Sequence, residues 1–300
     1  MGVPPLLVLG NANVDLVMGE VDGWPAVGTE IVVERSEMRA GGSAGNTALA
    51  LTGLGVPHLF VASTGNDPNG GWLRERFDAA CCHWIVDDCD TTLTVGIVHK
   101  GGDRAFFTTP GHLQTARLSD LRARIPAAPA GPAFAIVSGG FLMPEIEAGT
   151  SDLLGELQEK GWRTAIDPGW PPSGWTAEKR SLMQAWLARA DIAFLNDEEA
   201  MGVTGLVAPH AAFDRLAGDL APGCLLVVKQ GVAGARAAAD GRRFAVAAPR
   251  VEVVDTVGAG DTFNAAFLAA LARGTDVAQA LRAGVECASR AISTFPRRYT

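Results

Sequence analysis

A short segment near the carboxyl end, residues 255–263 with the sequence DTVGAGDTF, has residue types that could bind a phosphate group and act on it. Apolar residues at helical spacing begin at Phe263, which predicts a helix whose first turn lies in this segment. The first N–H groups of a helix lack internal partners and carry partial positive charge. Because Gly258, Ala259 and Gly260 are small, an anion can approach that backbone. These three residues are predicted to form a phosphate cradle.

Asp261 lies in the first turn of the predicted helix, and two interpretations of its carboxylate are open. It could help to cap the helix and interact favourably with the helix dipole. Alternatively, it could take the proton from a hydroxyl group that attacks a phosphoryl group held by the cradle. The segment is not a P-loop, since no Gly-x-x-x-x-Gly-Lys-Ser/Thr occurs. It is not a dinucleotide fingerprint either, since Phe263 takes the place of a third glycine.

The elements that must position this segment alternate between short apolar runs and longer helical patterns. The predicted strands are Leu6–Leu9, Leu59–Ala62, Phe134–Val137, Thr164–Ile166, Ile192–Leu195 and Leu225–Val228. The predicted helices span about 44–54, 70–80, 149–160, 178–189, 211–220, 261–273 and 276–294. Such alternation predicts an α/β fold with a mostly parallel sheet covered by helices on both faces.

Polar and glycine residues follow each predicted strand. Asn13 and Asp15 come after the first strand, Asp167 after the fourth, Asn196 after the fifth and Lys229 after the sixth. Open α/β sheets bind ligands at the carboxyl ends of their strands, although surface loops are commonly polar as well. The pattern therefore favours a ligand site along that edge of the sheet.

Two segments interrupt the alternation. Residues 14–39 have extended patterns at Leu16–Met18 and Ile31–Val33, and residues 91–109 fit a hairpin with its turn at 101–103. Together they are predicted to form a small second sheet over the strand ends. No linker rich in Pro, Gly or Ser divides the chain, so residues 1–300 are expected to form a single domain.

Composition excludes several classes of protein. The 300 residues are 48% hydrophobic and 19% charged, which is typical of a globular protein with a large core. A net charge of −8 disfavours nucleic acid and anionic membranes as partners. The five cysteines are irregularly spaced and do not indicate a disulfide framework. There is no signal-peptide pattern or membrane-spanning run, so a cytoplasmic protein is expected.

Five motifs resemble those of the ribokinase-like, or PfkB, carbohydrate kinases. Residues 255–263 are similar to the carboxyl-terminal signature of that family, and residues 41–46 (GGSAGN) are similar to its amino-terminal signature. The other three are Gly65-x-Asp67-x-x-Gly70, Asn196-x-x-Glu199 and residues 229–234 (KQGVAG). Their order and spacing match the family along nearly the whole chain.

The resemblance implies a ribokinase-like three-layer fold with a small β lid at about 14–39 and 91–109. It implies that Asp261 is the catalytic base and that Gly258, Ala259 and Gly260 form an anion hole. The positions that hold the sugar are matched by Asn13, Asp15, Gly42 and Asn46. The nucleotide positions are matched by Asn196, Lys229, Gly231 and Gly234, and Glu199 matches the position that organises hydrated metal.

The implied activity is transfer of the γ-phosphoryl group of ATP to an alcohol, with ATP and Mg²⁺ as cofactors. Many relatives continue beyond the position of Phe295 with a Gly-containing loop that helps to bind a monovalent cation. The resemblance does not extend to that loop, so it leaves dependence on potassium open. In the family the lid often forms a dimer interface, so a homodimer through the lid is a further expectation.

A sugar kinase is the favoured function, and a nucleoside kinase of the same fold or a catalytically silent sugar-binding regulator are the alternatives. A nucleoside needs a flat apolar slot, which Trp24, Phe106 and Phe107 could supply unless they pack the core of the lid. A sugar acid needs a cation, for which Arg104 is the nearest candidate. We expect a neutral pentose or hexose as the substrate.

Overall fold

Two β-sheets organise the structure, a computed structural model that describes residue 2 and residues 4–100, 104–295 and 297–300. In chain order the strands are β1 (Leu6–Gly10), β2 (Asn13–Val21), β3 (Arg35–Gly41), β4 (Leu59–Gly65), β5 (Cys82–Asp87), β6 (Leu93–His99), β7 (Arg104–Thr108), β8 (Phe134–Ser138), β9 (Arg163–Asp167), β10 (Ile192–Asn196), β11 (Leu225–Lys229), β12 (Ala235–Ala239) and β13 (Arg242–Val246). The α-helices within the described ranges are α1 (Ser43–Gly53), α2 (Pro68–Arg74), α3 (Leu118–Arg122), α4 (Pro144–Glu159), α5 (Ala177–Leu187), α6 (Asp197–Thr204), α7 (Pro209–Gly218), α8 (Ala259–Ala272) and α9 (Val277–Ile292).

The larger sheet has nine strands in the order β13-β12-β11-β10-β9-β8-β1-β4-β5. The seven from β11 to β5 are parallel, and β12 and β13 extend the sheet antiparallel. Helices cover both faces: in β1, Leu7 and Leu9 join a core with α3 to α7, while Leu6 and Val8 join a second core with α1, α2, α8 and α9. The predicted α/β fold is confirmed, and each of the six predicted strands is present.

The carboxyl ends of adjacent parallel strands place polar groups side by side. Ser138 at the end of β8 is in register with Asp167 at the end of β9, and Asn196 of β10 is in register with Lys229 of β11. This edge therefore collects residues that lie far apart in the sequence, as the sequence pattern predicted.

The smaller sheet has four strands in the order β3-β2-β6-β7, with β2 parallel to β6 and the other pairs antiparallel. Ile31–Val33, which have an extended pattern in the sequence, lie between β2 and β3 and belong to neither strand. Val32 is 93% exposed, so its apolar side chain has no sheet or core to pack against. The predicted turn at 101–103 lies outside the described residues.

The two faces of the smaller sheet differ in character. Asp15 of β2 is in register with Arg39 of β3, and Phe106 of β7 lies over Gly96 on the same face. Neighbouring residues of a strand point to opposite faces, so Phe107 lies on the other side. Trp24 contacts that outer side, with its ring 5.8 Å from the ring of Phe107. Among the described residues, no helix combines the length and apolar character needed to cross a bilayer.

Candidate active site

The phosphate cradle forms the start of α8. Gly258 is the residue before the helix and has φ 70°, a left-handed conformation that favours glycine. The predicted cradle needs one correction, because the N–H of Ala259 donates to Thr256 O at 3.2 Å and is engaged in a turn. Within the described part of the chain, the N–H groups of Gly258, Gly260 and Asp261 have no acceptor. Of the predicted cradle, Gly258 and Gly260 therefore keep free donors, and the N–H of Asp261 is a free donor in addition.

Asp261 carries its carboxylate at this helix start, partly buried. Asn46 of α1 donates from Nδ2 to Asp261 Oδ2 at 2.9 Å, which fixes the carboxylate between two helices. Burial raises the pKa of Asp261 to about 7, the negative charge of Asp167 adds to the rise, and Lys229 and Asn46 oppose it. A base with a pKa near neutrality is suited to accept a proton from a hydroxyl group.

Lys229 at the end of β11 is the buried cation of the site. Its Nζ lies 2.6 Å from Asp167 Oδ2 and 3.4 Å from Asn264 Oδ1. Burial would lower the pKa of Lys229, but the charges of Asp167 and Glu199 outweigh it and the pKa is raised. A Cβ added to Gly260 would lie 3.2 Å from this Nζ, so the ammonium group borders the cradle directly. The resemblance predicts that Lys229 borders the nucleotide, but its contacts with Asp167 and Asn264 were not predicted from the sequence.

Asn196 and Glu199 form a reciprocal cap at the start of α6. Asn196 Oδ1 accepts from the N–H of Glu199 at 2.7 Å, and Glu199 Oε2 accepts from the N–H of Asn196 at 2.8 Å. Glu199 is 5% exposed, and burial together with the charge of Asp167 raises its pKa above the usual range. The described residues contain no group of three or more His, Cys, Asp or Glu side chains placed to hold a metal ion.

The donor set nevertheless fits Mg²⁺ bound mainly through phosphate and water. Asp167, Glu199 and Asp261 influence one another electrostatically, while Lys229 lies among the three carboxylates and Arg297 also acts on Asp261. This cluster is therefore short of positive charge. Mg²⁺ usually keeps several waters and takes one or two carboxylates together with substrate phosphates. Glu199 would hold it through its hydration shell.

The predicted sugar-binding residues lie where the smaller sheet meets α1. Asn13 Nδ2 donates to Asp15 Oδ1 at 2.5 Å and to Thr94 Oγ1 at 3.2 Å. Burial raises the pKa of Asp15 to about 6, although its bond with Asn13 and the charge of Arg39 lower it. Asp15, Asn13 and Thr94 are thus brought together, and Thr94 was not singled out in the sequence.

Gly41 and Gly42 precede α1 and have no room for a side chain. A Cβ on Gly41 would overlap the Asp15 carboxylate, and one on Gly42 would overlap Asn11 O. Gly42 also has φ 85°. These constraints give Gly42 a packing reason for being glycine in addition to its predicted contact with substrate.

A cavity of about 630 Å³ lies beside the cradle and is of a size typical for a small-molecule site. The predicted nucleotide residues lining it are Asn196, Lys229, Gly231 and Gly234, together with Ala259 and Gly260 of the cradle. Its apolar wall comprises Val251, Val253, Val285, Ala288 and Ile292. Val251 and Val253 could not be predicted as site residues, because they follow the last strand of the larger sheet without any periodic pattern of their own.

Comparisons with known proteins agree with this arrangement. The profile of the pfkB family carbohydrate kinases matches residues 4–296. A fructokinase of Rhizobium leguminosarum bv. trifolii is 33% identical over 244 residues, covering 77% of this chain and 71% of the relative.

Solved structures with the same fold include a ribokinase and an adenosine kinase. A ribokinase of Arabidopsis thaliana complexed with ribose and ATP has a TM-score of 0.75 and 22% identity, covering 98% of this chain and 94% of that one. The adenosine kinase of Sinorhizobium meliloti has a TM-score of 0.80 and 22% identity, covering 100% of this chain and 97% of that one. The chain belongs to the pfkB family of carbohydrate kinases, which are phosphotransferases with an alcohol group as acceptor.

Proposed function

We propose that this chain transfers the γ-phosphoryl group of ATP to a hydroxyl group of a small neutral sugar, with Asp261 as the base. One observation carries the proposal: Asp261 joins two sites. Its backbone continues the cradle that lines the 630 Å³ cavity, and its carboxylate is bonded to Asn46 on the sugar-binding side. A group at this position can touch both a phosphoryl group and a hydroxyl group.

The residues present account for the step by positioning and charge. The hydroxyl oxygen forms a bond to phosphorus, the bond from phosphorus to the leaving phosphate oxygen breaks, and the hydroxyl proton passes to Asp261 Oδ. The free N–H groups of Gly260 and Asp261 face the charge that develops on the transferring group. Lys229 supplies positive charge on the same side.

ATP with Mg²⁺ supplies the transferable phosphoryl group and neutralises part of its charge. The apolar wall of the cavity suits the flat base of a nucleotide, and Gly231 leaves room there because no atom lies within 4 Å of a Cβ added to it. Asn196 and Glu199 would hold hydrated Mg²⁺ at the phosphate end.

The smaller sheet is proposed to act as a lid over the sugar, and its inner face favours a sugar over a nucleoside. Asp15, Asn13 and Thr94 offer carboxylate, amide and hydroxyl groups for neighbouring hydroxyls. Of the three aromatic residues considered for a nucleoside slot, Phe106 lies on the face of Asp15, whereas Phe107 and Trp24 lie on the other. The three rings therefore do not form one slot.

The same face is a poor site for a sugar acid. The cation beside Asp15 is Arg39, and its terminal nitrogens are held by Glu37 at 2.6 Å and by Asp255. The side chain of Arg104, the candidate from the sequence, lies outside the described parts of the structure. The similarity to a fructokinase also supports a neutral hexose or pentose. The likeness to an adenosine kinase, at 22% identity, concerns the fold alone.

The test is ADP release from MgATP with fructose, ribose, a keto-sugar acid, adenosine and cytidine, each at the same concentration. We expect one of the neutral sugars to have the highest kcat/KM. A nucleoside more than about tenfold better, a gap of roughly 1.4 kcal/mol, would overturn the choice of substrate and leave the phosphotransfer standing. Absence of turnover with tight sugar binding by calorimetry would instead support a silent sugar-binding protein.

A homodimer through the outer face of the smaller sheet is proposed as well. That face leaves Phe107 57%, Trp24 59% and Met38 42% exposed, and grouped apolar side chains of this kind are typical of interfaces. Light scattering should give the mass of a dimer, and Met38→Glu should convert it to a monomer. A wild-type protein that is monomeric at micromolar concentration would exclude this assembly.

A further inference from the structure

In strand β3 of the smaller sheet, the side chain of Arg39 contacts the loop before the cradle. Arg39 Nη1 is paired with Asp255 Oδ2, while its Nη2 donates to Glu37 Oε2 at 2.6 Å. Both partners are partly buried, with 15% of the Arg39 side chain and 13% of the Asp255 side chain exposed. A guanidinium group holds two carboxylates at once because its donors form a rigid planar fork.

Asp255 in turn fixes the path of the chain into α8. Its Oδ1 accepts from the N–H of Val257 at 3.0 Å, which closes a turn immediately before Gly258. Arg297 supports the same turn, since its Nη2 lies 3.3 Å from Asp255 Oδ2 and donates to Val257 O at 2.5 Å. A displacement of Arg39 would therefore move a carboxylate that is three residues from the first residue of the cradle.

A second observation concerns the surroundings of the same side chain. Arg39 Nε is buried and has no hydrogen-bond partner among the described residues. Arg39 also lines a cavity of about 470 Å³ between the smaller sheet and the loop at Val254 and Asp255. A buried donor without an acceptor is unfavourable, so the pairs with Glu37 and Asp255 are what hold the guanidinium group at this position.

We propose that Arg39 is a positioning residue that couples closure of the smaller sheet to the geometry of the cradle, acting through Asp255. This inference rests on the proposed function, because it needs a nucleotide at the cradle and a sugar under the lid. When the sheet closes on the sugar, Arg39 carries Asp255 into place and the turn at Val257 orients the free N–H groups. Because coupling is reciprocal, a nucleotide bound at the cradle must also favour closure of the sheet.

The reciprocal effect gives a test that needs no identified sugar. Hydrogen exchange of the full chain is measured with and without MgAMP-PCP, a non-transferable analogue of ATP. In the wild type, nucleotide should slow exchange in the cavity peptide 229–236 and also slow exchange in β3, by roughly fivefold or more. In Arg39→Lys the cavity peptide should still respond and β3 should not, because a single ammonium group cannot replace the fork.

Arg35→Lys is the matched control. Arg35 lies on the same strand and face and also bonds Glu37, at 3.1 Å, but it is 51% exposed in its side chain and is not paired with Asp255. In Arg35→Lys, nucleotide should slow hydrogen exchange of β3 as much as it does in the wild type. Should Arg39→Lys fail to fold, Asp255→Asn serves as the second variant. It removes the charge that Arg39 holds and should abolish the response of β3 in the same way.

Two results would overturn the inference. In the first, β3 of Arg39→Lys or Asp255→Asn responds to nucleotide as strongly as in the wild type. In the second, the wild-type cavity peptide is protected by nucleotide while β3 is unchanged, which leaves the proposed function intact. Failure of MgAMP-PCP to protect the wild-type cavity peptide would refute the proposed function itself, and the inference with it.

Discussion

Replacing Asp261 by Asn tests the proposed base and its electrostatic cost in one variant. The substitution keeps the size of the side chain and an oxygen that can accept from Asn46 Nδ2, as Asp261 does at 2.9 Å. It removes the negative charge and the ability to take a proton. Turnover should fall by on the order of 10²–10⁴-fold, which corresponds to about 3–5 kcal/mol of lost transition-state stabilisation.

The same variant should be as stable as the wild type at pH 8, or more stable. Burial raises the pKa of Asp261 from 3.8 to about 7 in the folded protein. Between these values the folded state holds a proton that the unfolded chain has lost, so stability falls as pH rises through this window. A shift of this size corresponds to at most about 4 kcal/mol, reached above pH 7, and partial exposure of the side chain reduces it.

The assay combines kcat at saturating sugar with thermal unfolding at pH 8, 6 and 4. The stability advantage of Asp261→Asn should shrink as pH falls towards 4, because the charge that it removes is then already neutralised in the folded wild type. Asp276→Asn is the control, since Asp276 caps the next helix and Asn is an equally good cap. Retention of more than a tenth of wild-type turnover by Asp261→Asn would refute the assignment of the base.

Three further predictions concern the neighbours of Asp261. The wild-type kcat/KM should rise as pH passes through about 7, and Asp167→Asn should move that rise to lower pH because its charge helps to keep Asp261 protonated; an unmoved profile would contradict this. Lys229→Met should destabilise the fold in urea by about 3–5 kcal/mol because Asp167 is left buried without its 2.6 Å partner, and adding Asp167→Asn should restore part of the loss. Gly260→Val should abolish turnover in the same sugar assay, whereas Gly71→Val, where no atom lies within 4 Å of a Cβ, should keep it.

Much of the fold could be predicted because the central strands are apolar on both faces. Leu225–Val228 and Phe134–Val137 are fully buried, and such runs bounded by polar loops are distinctive.

Strands β5 and β12 were not predicted from the sequence, for two different reasons. The run Cys82–Asp87 is half-exposed and mixes polar with aromatic residues, and Ala235–Ala239 is rich in alanine, which favours helices in isolation. Pairing with neighbouring strands decides both cases.

The site was predictable in its residue types but not in its pairings. A glycine-rich helix start with Asp261 indicates phosphate chemistry from local sequence alone. The bond from Lys229 to Asp167 joins residues 62 positions apart, and the pair of Arg39 with Asp255 joins residues 216 apart. Such contacts depend on strand order and on how the smaller sheet sits over the larger, which periodicity does not encode. The loss of the Ala259 N–H as a free donor likewise depends on one turn at Thr256.

One physical cause underlies both the reactivity and the instability of this site. Asp167, Glu199 and Asp261 lie at the carboxyl edge of one sheet, where burial and mutual repulsion raise the pKa values of Glu199 and Asp261. Lys229 offsets part of that repulsion by its pair with Asp167, and the remaining excess of negative charge destabilises the protein without ligand. A hydroxyl group is a weak acid, so a carboxylate with an ordinary pKa would be a poor base for it. The crowding that weakens the fold is therefore what makes Asp261 basic enough to act, and the same excess of negative charge explains why the phosphate end of the cavity calls for a divalent cation.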